Sequence, residues 1–179
     1  GGTGTIEVAP GIWRDCAVQE AGNITYRAAT PGTAIFDGGV CEGKATLVLR
    51  GRSARVDGLI FQNIGVPDEN GAGIRLEWGD LSVFNSLFRN SQQGILTAQN
   101  PGGRIVIDKS SFSGLGICAS DCAHSIYIGN YGSLTVREKL VIFSTGKVTG
   151  KIRYGKVVIE EGGQLSGEIS VGVGGARAP

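Results

Sequence analysis

The sequence predicts an all-β fold, a right-handed parallel β-helix (a single-stranded β-solenoid) of about seven coils. Two kinds of self-similarity support this class: a loose repeat of about two dozen residues in the first 136 residues, and a tight repeat near the C-terminus. Glycine makes up 31 of 179 residues without every-third spacing, so it supplies many separate turns. No segment keeps apolar residues at i, i+3, i+4 and i+7 over ten or more positions, so helices have little support.

Short strands follow from alternating apolar and polar residues between turn-forming Gly, Asn, Asp and Pro. In chain order, the clearest are residues 5–9, 23–28, 45–50, 56–62, 73–78, 81–89, 94–98, 104–112, 125–128, 134–136 and 157–160. The predicted fold is therefore nearly all strand and turn.

The tight repeat has a period of seventeen residues. Residues 139–152 align without gaps on residues 156–169, with identical Lys, Val, Ile, two Gly and a final Ile. A fixed period of this kind is the signature of a solenoid, in which each strand lies about 4.8 Å above its counterpart.

The loose repeat places phenylalanine five positions after an apolar residue in residues 56–61, 83–88 and 107–112. We expect Phe61, Phe88 and Phe112 to form an inward ladder, because equivalent positions of successive coils stack. Asn63 and Asn90 stand where a turn begins, and asparagine tolerates left-handed backbone there. Variable loops between the strands bulge outward at little cost.

A second ladder is predicted from the strands that open at a small residue followed by isoleucine. Ile74, Ile95 and Ile126 would stack inward. If so, Arg75, Leu96 and Tyr127 stack on the outer face, one residue further on.

The charge balance disfavours two classes of partner. Seventeen basic residues against sixteen acidic ones leave almost no net field, so neither nucleic acid nor a membrane is an expected partner. No apolar run approaches the roughly 18 residues that span a bilayer, and no basic segment precedes an apolar one at the start. We expect a soluble chain from which any export signal has been removed.

Three interpretations of the four cysteines stay open: disulfide bonds, free buried thiols and a zinc site. Cys16 and Cys41 are about one coil apart, so stacking would bring them within disulfide reach, and Cys118 and Cys122 bracket a short loop. An even number at these spacings suits an oxidising compartment. Free buried thiols are the second reading. Zinc is the third, with His124 as a further ligand, although three ligands at this spacing match no familiar zinc motif.

Several segments of the first 136 residues resemble a known family. They are residues 2–11, 15–16, 36–38, 70–74, 93–97 and 123–127. These segments are similar to the bacterial right-handed parallel β-helix repeat proteins with a pectate-lyase-like fold. The resemblance is specific for the fold, which carries lyases, hydrolases, epimerases and proteins with no assigned reaction.

A carbohydrate site on this fold would need basic and acidic groups in an outer cleft. His124 and Tyr127 are the candidate acid and base, with Arg75 as the basic group, although three-residue spacing puts the first two on opposite strand faces unless a turn intervenes. Asp68, Glu69 and Asn70 form an acidic loop that is a candidate calcium site. The sequence predicts no cofactor, no resident metal and no catalytic residue beyond these candidates.

The C-terminal residues resemble a different family. Residues 146–152 and 157–169 are similar to bactofilin, a bacterial cytoskeletal protein with a compact right-handed β-helix. Membership implies head-to-head polymerisation and a cytoplasmic location, whereas the N-terminal resemblance implies a periplasmic or secreted one. Two families in one chain indicate an engineered chimera, with irregular coils over 1–136, two regular coils over 137–171 and a flexible tail over 172–179.

The leading functional hypothesis is a structural scaffold that is not an enzyme, in which the bactofilin-like coils cap or extend a truncated β-helix. The first alternative is a carbohydrate-binding or polysaccharide-degrading β-helix. The second is a polymer-forming cytoskeletal element that self-associates through its solenoid ends.

Overall fold

The computed structural model describes residues 2–116, 124–142, 147–159 and 161–171. These residues form eighteen strands and no helix, so none of the described chain is a helix that could cross a membrane. The strands are β1 (Thr3–Val8), β2 (Gly11–Trp13), β3 (Ala17–Gln19), β4 (Asn23–Ala28), β5 (Ala34–Asp37), β6 (Ala45–Leu49), β7 (Ser53–Asp57), β8 (Leu59–Gln62), β9 (Ala72–Leu76), β10 (Asp80–Phe84), β11 (Leu87–Ser91), β12 (Gln93–Thr97), β13 (Asn100–Asp108), β14 (Ser111–Leu115), β15 (Ile126–Tyr127), β16 (Tyr131–Ile142), β17 (Lys147–Ile159) and β18 (Gln164–Val171).

The strands stack in three parallel faces around one core, which confirms the predicted parallel β-solenoid. Face A contains β1, β4, β7, β10, β13, the first half of β16, the middle of β17 and the end of β18. Face B contains β2, β5, β8, β11, β14 and the ends of β16 and β17. Face C contains β3, β6, β9, β12, β15 and the starts of β17 and β18.

The phenylalanine ladder is confirmed on the inner side of face B. Phe61 and Phe88 stack at 4.9 Å between ring centroids, and Phe88 and Phe112 at 4.8 Å. Phe36 extends the stack at 5.7 Å. The rings repeat at the strand spacing, so each ring covers the one in the coil before it.

The isoleucine ladder is confirmed on the inner side of face C. Ile74, Ile95 and Ile126 are in register and fully buried. Leu47 continues the ladder towards the N-terminus and Val148 towards the C-terminus.

Three predicted strands are each two strands in the structure. The chain turns from face A to face B at Gly58, Asn85 and Lys109, whose φ angles are 71°, 48° and 50°. Left-handed backbone interrupts a strand, so the predicted strands 56–62, 81–89 and 104–112 split at these positions. Asn63 and Asn90 adopt the expected left-handed backbone at the next corner, with φ of 55° and 48°.

The sequence patterns missed β2, β3, β5 and β18 and all of β17 before residue 157. The first three strands have three or four residues, which is too few for alternation to show. Only pairing with β5, β6 and β8 identifies them as strands.

The solenoid continues without interruption from the irregular coils into the regular ones. Leu134 pairs with Ile152, and after a register shift between Val136 and Lys139 the pairing Lys139 with Lys156 begins the seventeen-residue spacing. The same spacing joins β17 to β18, where Ile152 pairs with Ile169. The sequence repeat is therefore the strand register of these coils. The predicted tail, residues 172–179, lies outside the described residues.

Candidate functional site

The outer side of face C carries the predicted basic and aromatic residues in the expected order. Arg75 pairs with Leu96, and Leu96 with Tyr127. The Leu96 side chain is only 7% exposed, and it lies between the other two. Arg75 and Tyr127 are therefore two coils apart, about 10 Å at the usual strand spacing.

His124 and Tyr127 do meet. Their ring centroids are 5.1 Å apart in an edge-on arrangement. A bend at Ser125 brings both rings to the same side. In a straight strand, residues three positions apart would lie on opposite faces, so this bend is the turn that their contact requires. Arg75 lies apart from this pair, with its Nε 3.8 Å from an oxygen of Glu77. The structure thus assembles two of the three candidates.

The acidic loop 68–70 uses its polar atoms in bonds to the protein itself. Asp68 Oδ1 accepts a hydrogen bond from the Asn70 backbone N–H at 3.2 Å, and Asn70 Oδ1 accepts one from Gln93 Nε2 at 3.1 Å. Glu69 adopts left-handed backbone, with φ of 63°. Among the described residues, no three His, Cys, Asp or Glu side chains are grouped to hold a metal ion.

A charged cluster, which the sequence patterns did not reveal, lies beside β6 and β9. Arg50 donates to Glu42, to Glu77 Oε2 at 2.6 Å and to Glu20 Oε1 at 2.9 Å. Lys44 Nζ donates to Glu77 Oε1 at 2.8 Å and to Glu42 Oε2 at 3.2 Å. These residues come from three successive coils. Their proximity depends on how the strands pair, and the sequence alone does not show it.

Hydrogen bonds within the cluster shift the pKa values of Glu42, Glu77 and Lys44 in the direction that favours the charged form of each side chain. Hydrogen bonds from Arg50 and then Lys44 lower the pKa of Glu42 to about 2. Burial raises the pKa of Glu77, but the bonds from Lys44 and Arg50 outweigh it, and the net shift is downward. Bonds to Glu77 and Glu42 raise the pKa of Lys44. Glu42, Glu77 and Lys44 are therefore ionised at neutral pH.

A disulfide bond joins Cys16 to Cys41, with 5.4 Å between their Cα atoms. Cys41 belongs to a flap, residues 38–44, that leads from β5 to β6. Cys41 forms an antiparallel bridge with Ala45, and the Thr46 hydroxyl donates to the Gly39 carbonyl oxygen at 2.7 Å. The other candidate pair, Cys118 and Cys122, lies outside the described residues.

The N-terminal end of the solenoid is an open apolar hollow of about 360 Å³. Its walls include Val8, Trp13 and Ala17, which hold inward positions of the first coil. Tyr26 and Phe36 line its inner part. No strand pairs with the outer edge of β1, β2 or β3 in the described structure, so backbone donors and acceptors are unpaired there.

The C-terminal end is also open in the described residues. Ile159 and Ile169 hold inward positions, in register with Ile142 and Ile152, yet each is 43% exposed. No further coil covers them among the described strands. Both ends of the solenoid therefore present apolar side chains and strand edges.

Comparison with known proteins identifies one segment. A family model described as bactofilin, polymer-forming cytoskeletal, matches residues 121–170. No curated protein matches the chain, and no solved structure matches it. The match begins before the predicted boundary at residue 137, while the resemblance of residues 1–136 to pectate-lyase-like proteins stays a prediction. Residues 121–170, less than a third of the chain, match the bactofilin family. The described strands within this range, β15 to β18, belong to the C-terminal coils of the β-solenoid.

Proposed function

We propose that this chain is a structural β-solenoid scaffold that self-associates through its ends and catalyses no reaction. The observation that carries the proposal is the match of residues 121–170 to a polymer-forming family. The described part of the matched segment includes Ile159 and Ile169, which are both exposed.

The open ends support assembly by strand pairing. An unpaired strand edge is a template for another strand, and proteins that stay monomeric usually blunt or cover it. Burial of an aliphatic side chain such as Ile169 in a joint would add about 1.5 to 3 kcal/mol. A joint between two solenoids would satisfy the backbone edge and the apolar residues together.

The two predicted regular coils, residues 137–171, also cap the coil before them. Val148 covers Ile126, and Ile152 covers Leu134, and all four side chains are buried. We infer that these coils complete a truncated pectate-lyase-like β-helix, and that the chain is a chimera of two families. Unfolding of the C-terminal coils would expose the Ile126 and Leu134 layer.

Sedimentation velocity over a wide concentration range tests the proposed assembly. We expect the parent to form larger species as concentration rises, and Ile169→Asp to reduce them because a carboxylate would be buried in the joint. Trp78→Ser is the matched control, since Trp78 is 55% exposed on the side of the solenoid. A parent that stays monomeric, or equal losses in both variants, would overturn the proposal.

A carbohydrate-binding or polysaccharide-degrading β-helix is the alternative, and the contact of His124 with Tyr127 on the outer face favours it. Titration with acidic oligosaccharides, with and without calcium, distinguishes the two functions. Heat of binding or a lyase product would support the alternative, whereas neither is expected of a scaffold.

A further inference from the structure

The flap over face C covers a second apolar cluster that lies outside the solenoid core. The cluster contains Ala45, Val48, Ala72 and Leu96, with Val18 and Cys41 packed against it. Val48 points outward on face C, yet it is completely buried. Because the Val48 side chain points outward and has no solvent exposure, other residues must cover it. Cys41 of the flap is one of the residues that pack against this cluster.

The disulfide connects this flap to the terminal coil. Cys16 lies between β2 and β3, which pair with β5 and β6 through only three residues each. β1 is held more firmly, because it pairs with β4 through six residues. No described strand covers the other side of this coil. The segment from residue 11 to residue 19 is thus the most weakly held part of the N-terminal end.

The ion pairs of the flap are a weak substitute for the covalent bond. Glu42 and Lys44 are the charged residues of the flap, and their side chains are 38% and 40% exposed. Ion pairs exposed to this degree contribute little to stability, because water screens them and ordering the side chains opposes them.

We propose that the Cys16–Cys41 disulfide is a redox-controlled clip for the N-terminal end of the solenoid. Its reductant is a small dithiol: one thiolate attacks a protein sulfur to form a mixed disulfide, and the second thiol displaces it. The protein gains two thiols, and the dithiol becomes a cyclic disulfide. Both cysteines are partly exposed, so the bond is within reach of such a reagent.

Reduction releases the flap and β2–β3 while the remaining coils keep their pairing. Val48 then becomes accessible to solvent, Val18 becomes more exposed, and the apolar hollow beside Cys16 widens. The oxidised chain therefore keeps the flap and the segment 11–19 ordered beside the N-terminal hollow, and the reduced chain exposes an additional apolar patch there.

Hydrogen–deuterium exchange of the oxidised and dithiothreitol-reduced chain tests the clip. The background is Cys118→Ser with Cys122→Ser, so that only Cys16 and Cys41 respond to the reagent. We expect exchange about a hundredfold faster in residues 11–19 and 38–45 after reduction, as the loss of a cross-link of this loop size implies. Exchange in β7, β10 and β13 should not change. Equal exchange of residues 11–19 and 38–45 in both states would overturn the proposal.

Two variants separate the disulfide from the ion pairs. In the same background, Cys16→Ser with Cys41→Ser should exchange like the reduced chain in the absence of reagent. Glu42→Gln keeps the disulfide and should exchange like the oxidised chain. If Glu42→Gln alone frees the flap, or the double serine variant stays protected, the disulfide is not the clip. Measurement at a concentration where the chain is monomeric makes the result independent of the proposed assembly.

Discussion

At the scale of single residues, the stacked side chains of the core give each position a counterpart one coil away. Phe61, Phe88 and Phe112 are fully buried and lie on one another with nearly parallel rings. A ring in the middle of the stack loses contacts on both sides when it is removed. The stability of the solenoid should therefore be most sensitive at the two interior rings of the stack, Phe61 and Phe88.

We expect Phe88→Ala to lower the free energy of unfolding by about 3 to 5 kcal/mol, because it leaves a cavity between two rings. Leu87→Ala is the control, since Leu87 is the neighbouring residue on the outer side of the same strand and should cost about 1 kcal/mol or less. Urea denaturation measures both. Equal effects would show that Phe88 is not a core residue.

The asparagines at the corners are chosen for backbone conformation. Asn90 has φ of 48°, a conformation that glycine and asparagine tolerate and that costs most other residues about 1 to 2 kcal/mol. We expect Asn90→Ala to destabilise the chain by about 1 kcal/mol and Asn90→Gly to be nearly neutral. Thermal unfolding of the two variants compares them, and a more harmful glycine would contradict the left-handed assignment.

The charged cluster predicts a pH dependence. The pKa of Glu42 is about 2 in the folded chain, against an ordinary value of 4.5. The unfolded chain binds more protons between these values, so the stabilisation is complete above pH 4.5 and is lost as pH falls towards 2. Arg50, Lys44, Glu20 and Glu77 are the charged groups around it.

Glu42→Gln should therefore lower the urea midpoint slightly at pH 7, and the difference from the parent should shrink between pH 4.5 and pH 2. Urea midpoints at pH 7, 4 and 2 check this. A difference that stays constant with pH would show that the carboxylate charge is not responsible.

At the scale of elements, the register joins irregular and regular coils. Ile152 is buried between Leu134 and Ile169, whereas Ile169 lies in the last described strand, β18, and is 43% exposed. The two isoleucines hold equivalent positions of the seventeen-residue repeat but differ in depth. Their substitutions should separate the packed coil from the terminal one.

We expect Ile152→Asp to cost several kcal/mol, because a buried carboxylate without a partner must desolvate or protonate. Ile169→Asp in the monomer should cost much less, since water reaches that side chain. Denaturation at low concentration measures both. If Ile152→Asp unfolds like the parent, the regular coils are not packed on the core.

Sequence patterns predicted the ladders because stacked positions share residue types. Phe61, Phe88 and Phe112 repeat in sequence as they do in space. The strands of three residues, such as β2, have no pattern of their own, and pairing alone defines them. The sequence patterns did not predict the charged cluster around Arg50 for a similar reason, because its residues come from three coils with loops of unequal length. The contact of His124 with Tyr127 depends on a bend that alternation does not encode.

At the scale of the whole molecule, the described strands form one continuous stack, and no described strand covers either end of it. Strand edges and apolar residues are exposed at each end, and the C-terminal coils match a polymer-forming family. End-to-end association would continue the parallel stack along its axis. We therefore expect the assembled form to be an extended solenoid.

Fibre diffraction from a concentrated, aligned sample tests whether the strands of neighbouring chains continue one stack. Electron microscopy of the same sample shows whether filaments form. We predict thin filaments and a meridional reflection near 4.8 Å, because strands perpendicular to the filament axis would repeat at the spacing of the coils. Discrete particles at every concentration, or filaments without that meridional reflection, would contradict assembly through the solenoid ends.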